Sequence, residues 1–296
     1  MKRVLLLMAL GLSIVLTQSL TAEAGFLAER KAIREQVQYE KDCKKDIQEL
    51  FANQDKYAKA YDMDKLQSLY DKNFVDNDGY NKEVYFSLVQ DTWNTYPDIT
   101  YTTKIKNIKL NGDYATVETE ETANATSDDL DRHIIGELNS RSNCIYHLQK
   151  FANKWAITAE QVTDEISTLK YGDARYINID LESPKMIGAG QSYTATLKVD
   201  IPKDEIVVGS INQEKIVNPA VKPEEHFMKV KEDGTLSRIF TSNTDNINEY
   251  NVASIAFTKN DDTRIYMNGI AFIMARVNVV PINNFAKVDR KTEDKK

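Results

Sequence analysis

The chain has only two cysteines, Cys43 and Cys144, which permit at most one disulfide. Its three histidines, His133, His147 and His226, stand far apart, and no Cys-x-x-Cys or His-x-x-x-His spacing builds a zinc site. No serine sits in Gly-x-Ser-x-Gly and no glycine-rich phosphate loop is present, so hydrolase and nucleotide readings have no foothold. Basic residues are outnumbered, 38 against 45 acidic ones, for a net charge of −7. Lysines are interleaved with Asp and Glu rather than clustered, which excludes nucleic acid as the partner. Beyond the amino terminus no run reaches membrane-spanning length; Gly269 to Val280 is apolar but contains Arg276.

The opening of the chain predicts export. Lys2 and Arg3 precede the apolar run Val4 to Leu16, and the small residues Ala22 and Ala24 follow it, in the order a secretory signal requires. The run of 13 residues is shorter than a span, and Thr17, Gln18 and Ser19 end it. Residues 1–24 are therefore expected to be a cleaved signal peptide, with no permanent membrane anchor and a mature protein, periplasmic or secreted, starting near Gly25. Losing Lys2, Arg3 and Glu23 removes a net +1 and leaves −8. About 270 mature residues suit two domains.

Phe26 to Asn53 lacks breakers and spaces Ile33, Val37, Ile47, Leu50 and Phe51 as one helical stripe. A second helix is predicted over Met63 to Lys72, stopped by Asp76-Asn77-Asp78-Gly79, and a third over Lys82 to Asn94, burying Val84, Tyr85, Leu88 and Val89. Strands follow at Ile99 to Leu110 and Tyr114 to Ala125 around Asn111-Gly112-Asp113, a hairpin signal. A polar crossing, Thr126 to Arg132, leads to strands at Glu137 to Phe151 and Trp155 to Val162. The fold class is α+β: three helices on a curved antiparallel sheet.

Leu66, Leu69, Tyr70 and Phe74-Val75 running into Asp78-Gly79, the hairpin Asn111 to Val117, and Tyr146 to Phe151 followed by Asn153-Lys154-Trp155-Ala156-Ile157 carry a resemblance. Residues 47–165 resemble the cone-shaped superfamily of nuclear transport factor two, SnoaL-like proteins and ketosteroid isomerase. The resemblance implies a cone whose sheet and helices enclose a pocket, used as an active site, a binding cavity or an interaction surface. Domain one is thus expected at 25–165. After a change of character at Asp164 to Asp173, strands are predicted at 175–181, 192–201, 205–217, 227–231, 236–241, 250–258 and 263–280, the last broken near Met274. They form an all-β sandwich domain over 174–283, Ig-like in the loose sense, without the Cys pair or core Trp of a true Ig domain. Residues 284–296 read as a disordered charged tail.

Asp76-Asn77-Asp78-Gly79 fails as an EF-hand loop, since Phe74 and Tyr85 would occupy the first and twelfth positions. The resemblance places this segment near the pocket mouth. Its isomerase branch uses an acidic base and a Tyr-plus-acid oxyanion hole, and Asp76, Tyr80, Tyr85, Tyr101, Glu121 and Tyr146 supply those residue types without a position-by-position match. Alternation sends Ala115, Val117 and Glu121 inward with Tyr146, Leu148, Trp155 and Ile157, and His147 outward. Glu121 at a rim is expected to pair with a base such as Arg141 or to stay solvated. These seven pocket candidates, Asp76, Tyr80, Tyr85, Tyr101, Glu121, Tyr146 and Trp155, and the Cys43–Cys144 pair are the site residues; no catalytic residue, metal or cofactor is assigned. The function expected is a non-enzymatic exported protein that binds a small apolar or amphipathic ligand or an envelope protein partner, with a dimer open. The alternative is a small-molecule isomerase, dehydratase or hydrolase using the cone pocket.

Overall fold

The computed structural model describes residues 2–129, 134–221, 223–260 and 263–282. His133 and the charged tail 284–296 lie outside the described residues. The chain divides into two compact units, Met1–Leu50 and Phe51–Lys296.

The first unit is helical over its described residues, from Lys2 onward. Helix α1 spans Lys2–Lys59, longer than the Phe26 to Asn53 predicted, and ends inside the second unit, where Tyr61 turns to φ 54°. Pairs one turn apart support its exposed face: Lys31 with Glu35 at 3.8 Å, Gln36 with Glu40 and Gln38 with Asp42. Of the predicted stripe, Ile47, Leu50 and Phe51 are buried, whereas Ile33 and Val37 are exposed. Among the described residues no helix is long and apolar enough to cross a membrane.

In the second unit, α2 (Met63–Gln67) starts on Asp62, whose carboxylate accepts from the Lys65 amide. It is one short turn and does not reach Lys72. Ser68 Oγ folds back onto the Lys65 carbonyl at 2.6 Å, and Tyr70–Asp76 becomes strand β1. Helix α3 (Lys82–Thr95) is capped by the Asn81 side chain and buries Phe86 and Trp93; Val84, Tyr85, Leu88 and Val89 are only half-buried.

Strands β2 (Thr100–Asn111), β3 (Tyr114–Asp129), β4 (Ile134–Phe151) and β5 (Lys154–Gly172) form the predicted antiparallel meander. Its turns use Gly112 at φ 59° and Ala152-Asn153 at φ 45° and 69°. The polar stretch Thr126 to Asp129 is part of β3 rather than a crossing. Strand β1 pairs with β5 in parallel.

After a 3-10 turn at Asp173–Tyr176 come β6 (Ile179–Glu182), β7 (Met186–Gly188), β8 (Ser192–Val199), β9 (Glu205–Lys215), β10 (Met228–Lys229), β11 (Thr235–Thr241), β12 (Glu249–Asn260) and β13 (Ile265–Val280). Strands β10, β9, β12 and β13 extend the meander into one ten-stranded sheet, in the order β10-β9-β12-β13-β5-β4-β3-β2, with β1 and β7 paired off the path. A three-stranded sheet, β11-β8-β6, is separate. Leu181, Leu197 and Val199 from the small sheet and Ile211, Ile255, Phe257 and Ile273 from the large one share a single buried core.

Two sequence expectations are corrected here. Asp164 to Asp173, expected to be the boundary between two domains, lies largely within a strand: β5 runs through Gly172, hydrogen-bonded to β4 on one edge and β13 on the other, with Ile166 opposite both Arg141 and Ala275. The shift in composition there is real, but a strand needs only partners on its two edges, and both halves of the chain supply one. Strand β13 is unbroken at Met274; its irregularity lies opposite Phe257 and Thr258, at Asn268. The neighbouring Gly269 packs so closely that a Cβ there would sit 2.6 Å from the Ala174 amide nitrogen.

Candidate functional site

The meander's inner face follows alternation along most of its length. Ala115, Val117 and Thr119 on β3, Tyr146 and Leu148 on β4, and Trp155 and Ile157 on β5 are buried, and His147 is exposed. On β5 the pattern then changes. Leu148 pairs with Ile157 but His147 with Ala159, so Thr158 is an extra residue, a bulge. The bulge reverses parity, and Glu160, which strict alternation would send outward, is buried at 6% exposure.

Three neighbouring strands thereby bring three polar groups together. Donor atoms of Glu121 on β3, Cys144 on β4 and Glu160 on β5 all lie within 4.8 Å of one another. Tyr146 donates its hydroxyl to Glu160 Oε1 at 3.2 Å, and Thr119 donates to Glu121 Oε1 at 3.0 Å. Glu160 Oε2 has no hydrogen-bond partner. Burial, then the Glu121 charge, pushes the Glu160 carboxyl up to about 8. Burial also raises Glu121, and burial with both carboxylates raises the Cys144 thiol. The hydroxyls of Tyr70, Tyr85 and Tyr146 are held well above their usual range, by burial first and by the charge of the carboxylates.

Beside this cluster lies a cavity of about 120 Å³ between the helices and the sheet. Tyr70, Tyr85, Phe86, Trp93 and Tyr101 give it an aromatic wall, and Glu121 and Tyr146 give it a polar side. The aromatic wall is ordered by edge-to-face contacts, such as Tyr70 on Phe86 at 4.9 Å and Phe74 on Tyr85 at 5.0 Å. Gln54 donates to the Tyr70 hydroxyl at 3.0 Å. An outer groove of about 180 Å³ shares Tyr101, Thr103 and Glu121 with the cavity, and Asp55 holds Thr103 through its amide and hydroxyl.

Of the seven pocket candidates, Tyr85, Tyr101, Glu121 and Tyr146 line the cavity; Asp76, Tyr80 and Trp155 do not. Trp155 is buried in the inner face, its indole N–H without a partner. Asp76 closes a turn by accepting from the amides of Asp78 and Tyr80, at 2.9 and 2.8 Å, and that turn serves packing. Arg141 does not pair with Glu121. Register sets Glu121 opposite Ser142 and Arg141 opposite Thr122, so the two side chains leave on opposite faces. Cys43 and Cys144 are both buried and no disulfide joins them. Glu160 and the site role of Cys144 escape sequence reasoning. The one signal available was a lone acid three residues beyond the Trp-x-Ile motif.

No family model matches the chain, and no curated protein matches it in sequence. Similar solved structures share about two fifths of the chain. One is Bd1075 of Bdellovibrio bacteriovorus, with 18% identity over 40% of this chain and 39% of that one, at a TM-score of 0.33. Another is a conserved protein from Planctomyces limnophilus, with 13% identity over 40% of this chain and 94% of that one, at a TM-score of 0.35. A third is a hexachlorocyclohexane dehydrochlorinase, LinA type 2, with 11% identity over 41% and 84%, at a TM-score of 0.35.

Proposed function

We propose that this chain is an exported, non-enzymatic binding protein of the nuclear transport factor two-like kind, whose cone cavity takes a small, largely apolar ligand with one polar group. The observation that carries the proposal is the cavity of about 120 Å³, aromatic on one side, with Glu121 and Tyr146 converging on the other. Cavities of about 150 Å³ hold benzene, so the fitting ligand is on the order of one small ring. The hydroxyl of Tyr146 and the carboxyl of Glu121 would orient its polar group. Export would set this protein in the periplasm or outside the cell, where an envelope protein or a second copy would be its macromolecular partner.

Native mass spectrometry of protein recovered from its own compartment tests both parts. The expected chain begins at or near Gly25 and carries a small molecule that denaturation releases. Ala58→Phe, which fills the cavity, should arrive without it. A full-length chain with Met1 would sink the export proposal, and an unliganded parent indistinguishable from Ala58→Phe would sink the binding one.

One observation favours a second reading. Glu121 and Tyr146, an acid and a hydroxyl donor, face the same small cavity, which is the equipment for proton transfer in an isomerase or dehydratase. A turnover found with a metabolite library and abolished in well-folded Glu121→Gln would replace the binding proposal.

A further inference from the structure

We propose that Glu121, Cys144 and Glu160 form a binding site for one thiophilic divalent cation of the zinc type. The three residues come from adjacent strands, β3, β4 and β5, so the sheet itself holds their spacing. Their donor atoms lie within 4.8 Å of one another. A tetrahedral zinc site, with Zn–S of about 2.3 Å and Zn–O of about 2.0–2.2 Å, sets its donors about 3.3–3.7 Å apart.

Two further observations point to a cation. Glu160, at 6% exposure, spends Oε1 on the Tyr146 hydroxyl and leaves Oε2 without a hydrogen-bond partner. A buried carboxylate oxygen with nothing to bind is costly unless a proton or a metal satisfies it. The strongest charges acting on the three groups are also negative: they come from one another and from Asp55, Asp76 and Glu165. A dication bound by a thiolate and two carboxylates brings the site to a net −1, and the protons those groups hold in the metal-free protein leave to solvent.

The donor set selects the metal. One thiolate and two carboxylates are too few and too soft for calcium or magnesium, which need six or more oxygens or an octahedral shell. Zinc and cobalt(II) accept sulfur and oxygen together in four-coordinate geometry, with the fourth place open to a solvent molecule or to a ligand in the cavity. Glu121 lines both the cavity and the outer groove, so the site has an entry path.

The test uses the full chain, stripped with chelator, reduced with a phosphine, and titrated with cobalt(II). One equivalent should bind with a near-ultraviolet thiolate-to-cobalt charge-transfer band, and zinc should displace it. Cys144→Ser should lose the band and Cys43→Ser should keep it. Glu160→Gln and Glu121→Gln, with near-ultraviolet circular dichroism unchanged, should each weaken binding at least about tenfold. A parent protein that binds no cobalt, or binds it without the thiolate band, overturns the site. So does a band that survives Cys144→Ser. Should Cys144→Ser fail to fold, the two isosteric glutamine variants decide: unchanged affinity in both overturns the proposal.

Discussion

Arg276 on β13 forms a bidentate ion pair with Asp78, 198 residues earlier, in the turn that follows β1: Nη1 to Oδ2 at 3.0 Å and Nη2 to Oδ1 at 2.5 Å. The guanidinium is almost fully buried, at 2% exposure, and its Nε donates to Asn278 Oδ1 at 3.0 Å. Asn248 donates to Asp78 Oδ1 at 2.8 Å and to the Asn77 carbonyl, and Asn77 exchanges bonds with Val162 on β5. The acidic turn that reads in sequence as a loop near a pocket mouth is thus a lock between the turn and the carboxy-terminal strands.

Asp78→Ala should cost about 3–5 kcal/mol, because it leaves a buried guanidinium unpaired. Replacing both partners, as Asp78→Ala with Arg276→Met, should recover most of that loss, since no buried charge then remains. Urea unfolding of the two single variants and the double decides the matter; strictly additive losses would show that the pair is uncoupled.

Trp155→Ala should destabilise by about 3–5 kcal/mol, as expected for removing a buried aromatic ring. Trp155→Phe should cost less, because it also removes the indole N–H that has no partner. His147→Ala, on the exposed face of the same sheet, should stay within about 0.5 kcal/mol. Thermal melts of the three variants read this order directly.

Metal-free protein should lose stability as pH rises from about 5 to about 8. The native state raises the Glu160 carboxyl from 4.5 to about 8, through burial and the Glu121 charge, with Asp76 adding to the rise and the Tyr146 hydrogen bond opposing it. Below the unfolded value both states hold the proton and no cost arises. Between the two values only the native state holds it, so stability falls by up to about 1.4 kcal/mol per pH unit and levels off above the folded value. Glu160→Gln should flatten this limb in chemical denaturation measured across the range. A flat limb would mean that the carboxyl is already ionised in the native state across this range.

Limited digestion with a glutamate-specific protease should cut first at Glu224 and not at Glu165. Residues 216–221 and 223–227 have no regular secondary structure and Glu224 is exposed, whereas Glu165 accepts a hydrogen bond from the Tyr250 hydroxyl at 2.8 Å within β5. Peptide mapping by mass spectrometry identifies the first site. Early release of a fragment ending at Glu165 would restore the domain boundary that the composition suggested.

Local pattern determined much of this protein. Alternation in Tyr114 to Val117, Tyr146 to Leu148 and Trp155 to Ile157 determined which side chains enter the core, because a strand with one wet face has only two parities. Asn111-Gly112-Asp113 determined the hairpin, since glycine tolerates the left-handed φ its turn needs. Tertiary structure decided what depends on a partner. Tyr70 to Lys72, expected as the end of a helix, became the start of β1 because an edge of β5 was there to pair with it, and Asp164 to Gly172 became shared sheet because β13 lies on its other side. The cluster of Glu121, Cys144 and Glu160 could not be read along the chain. It depends on a one-residue bulge at Thr158 that turns Glu160 inward, and on the register of three strands whose donors are distant in sequence. Periodicity records which face a residue takes while pairing is regular, but a bulge is set by the neighbouring strand, and only the assembled sheet contains that neighbour.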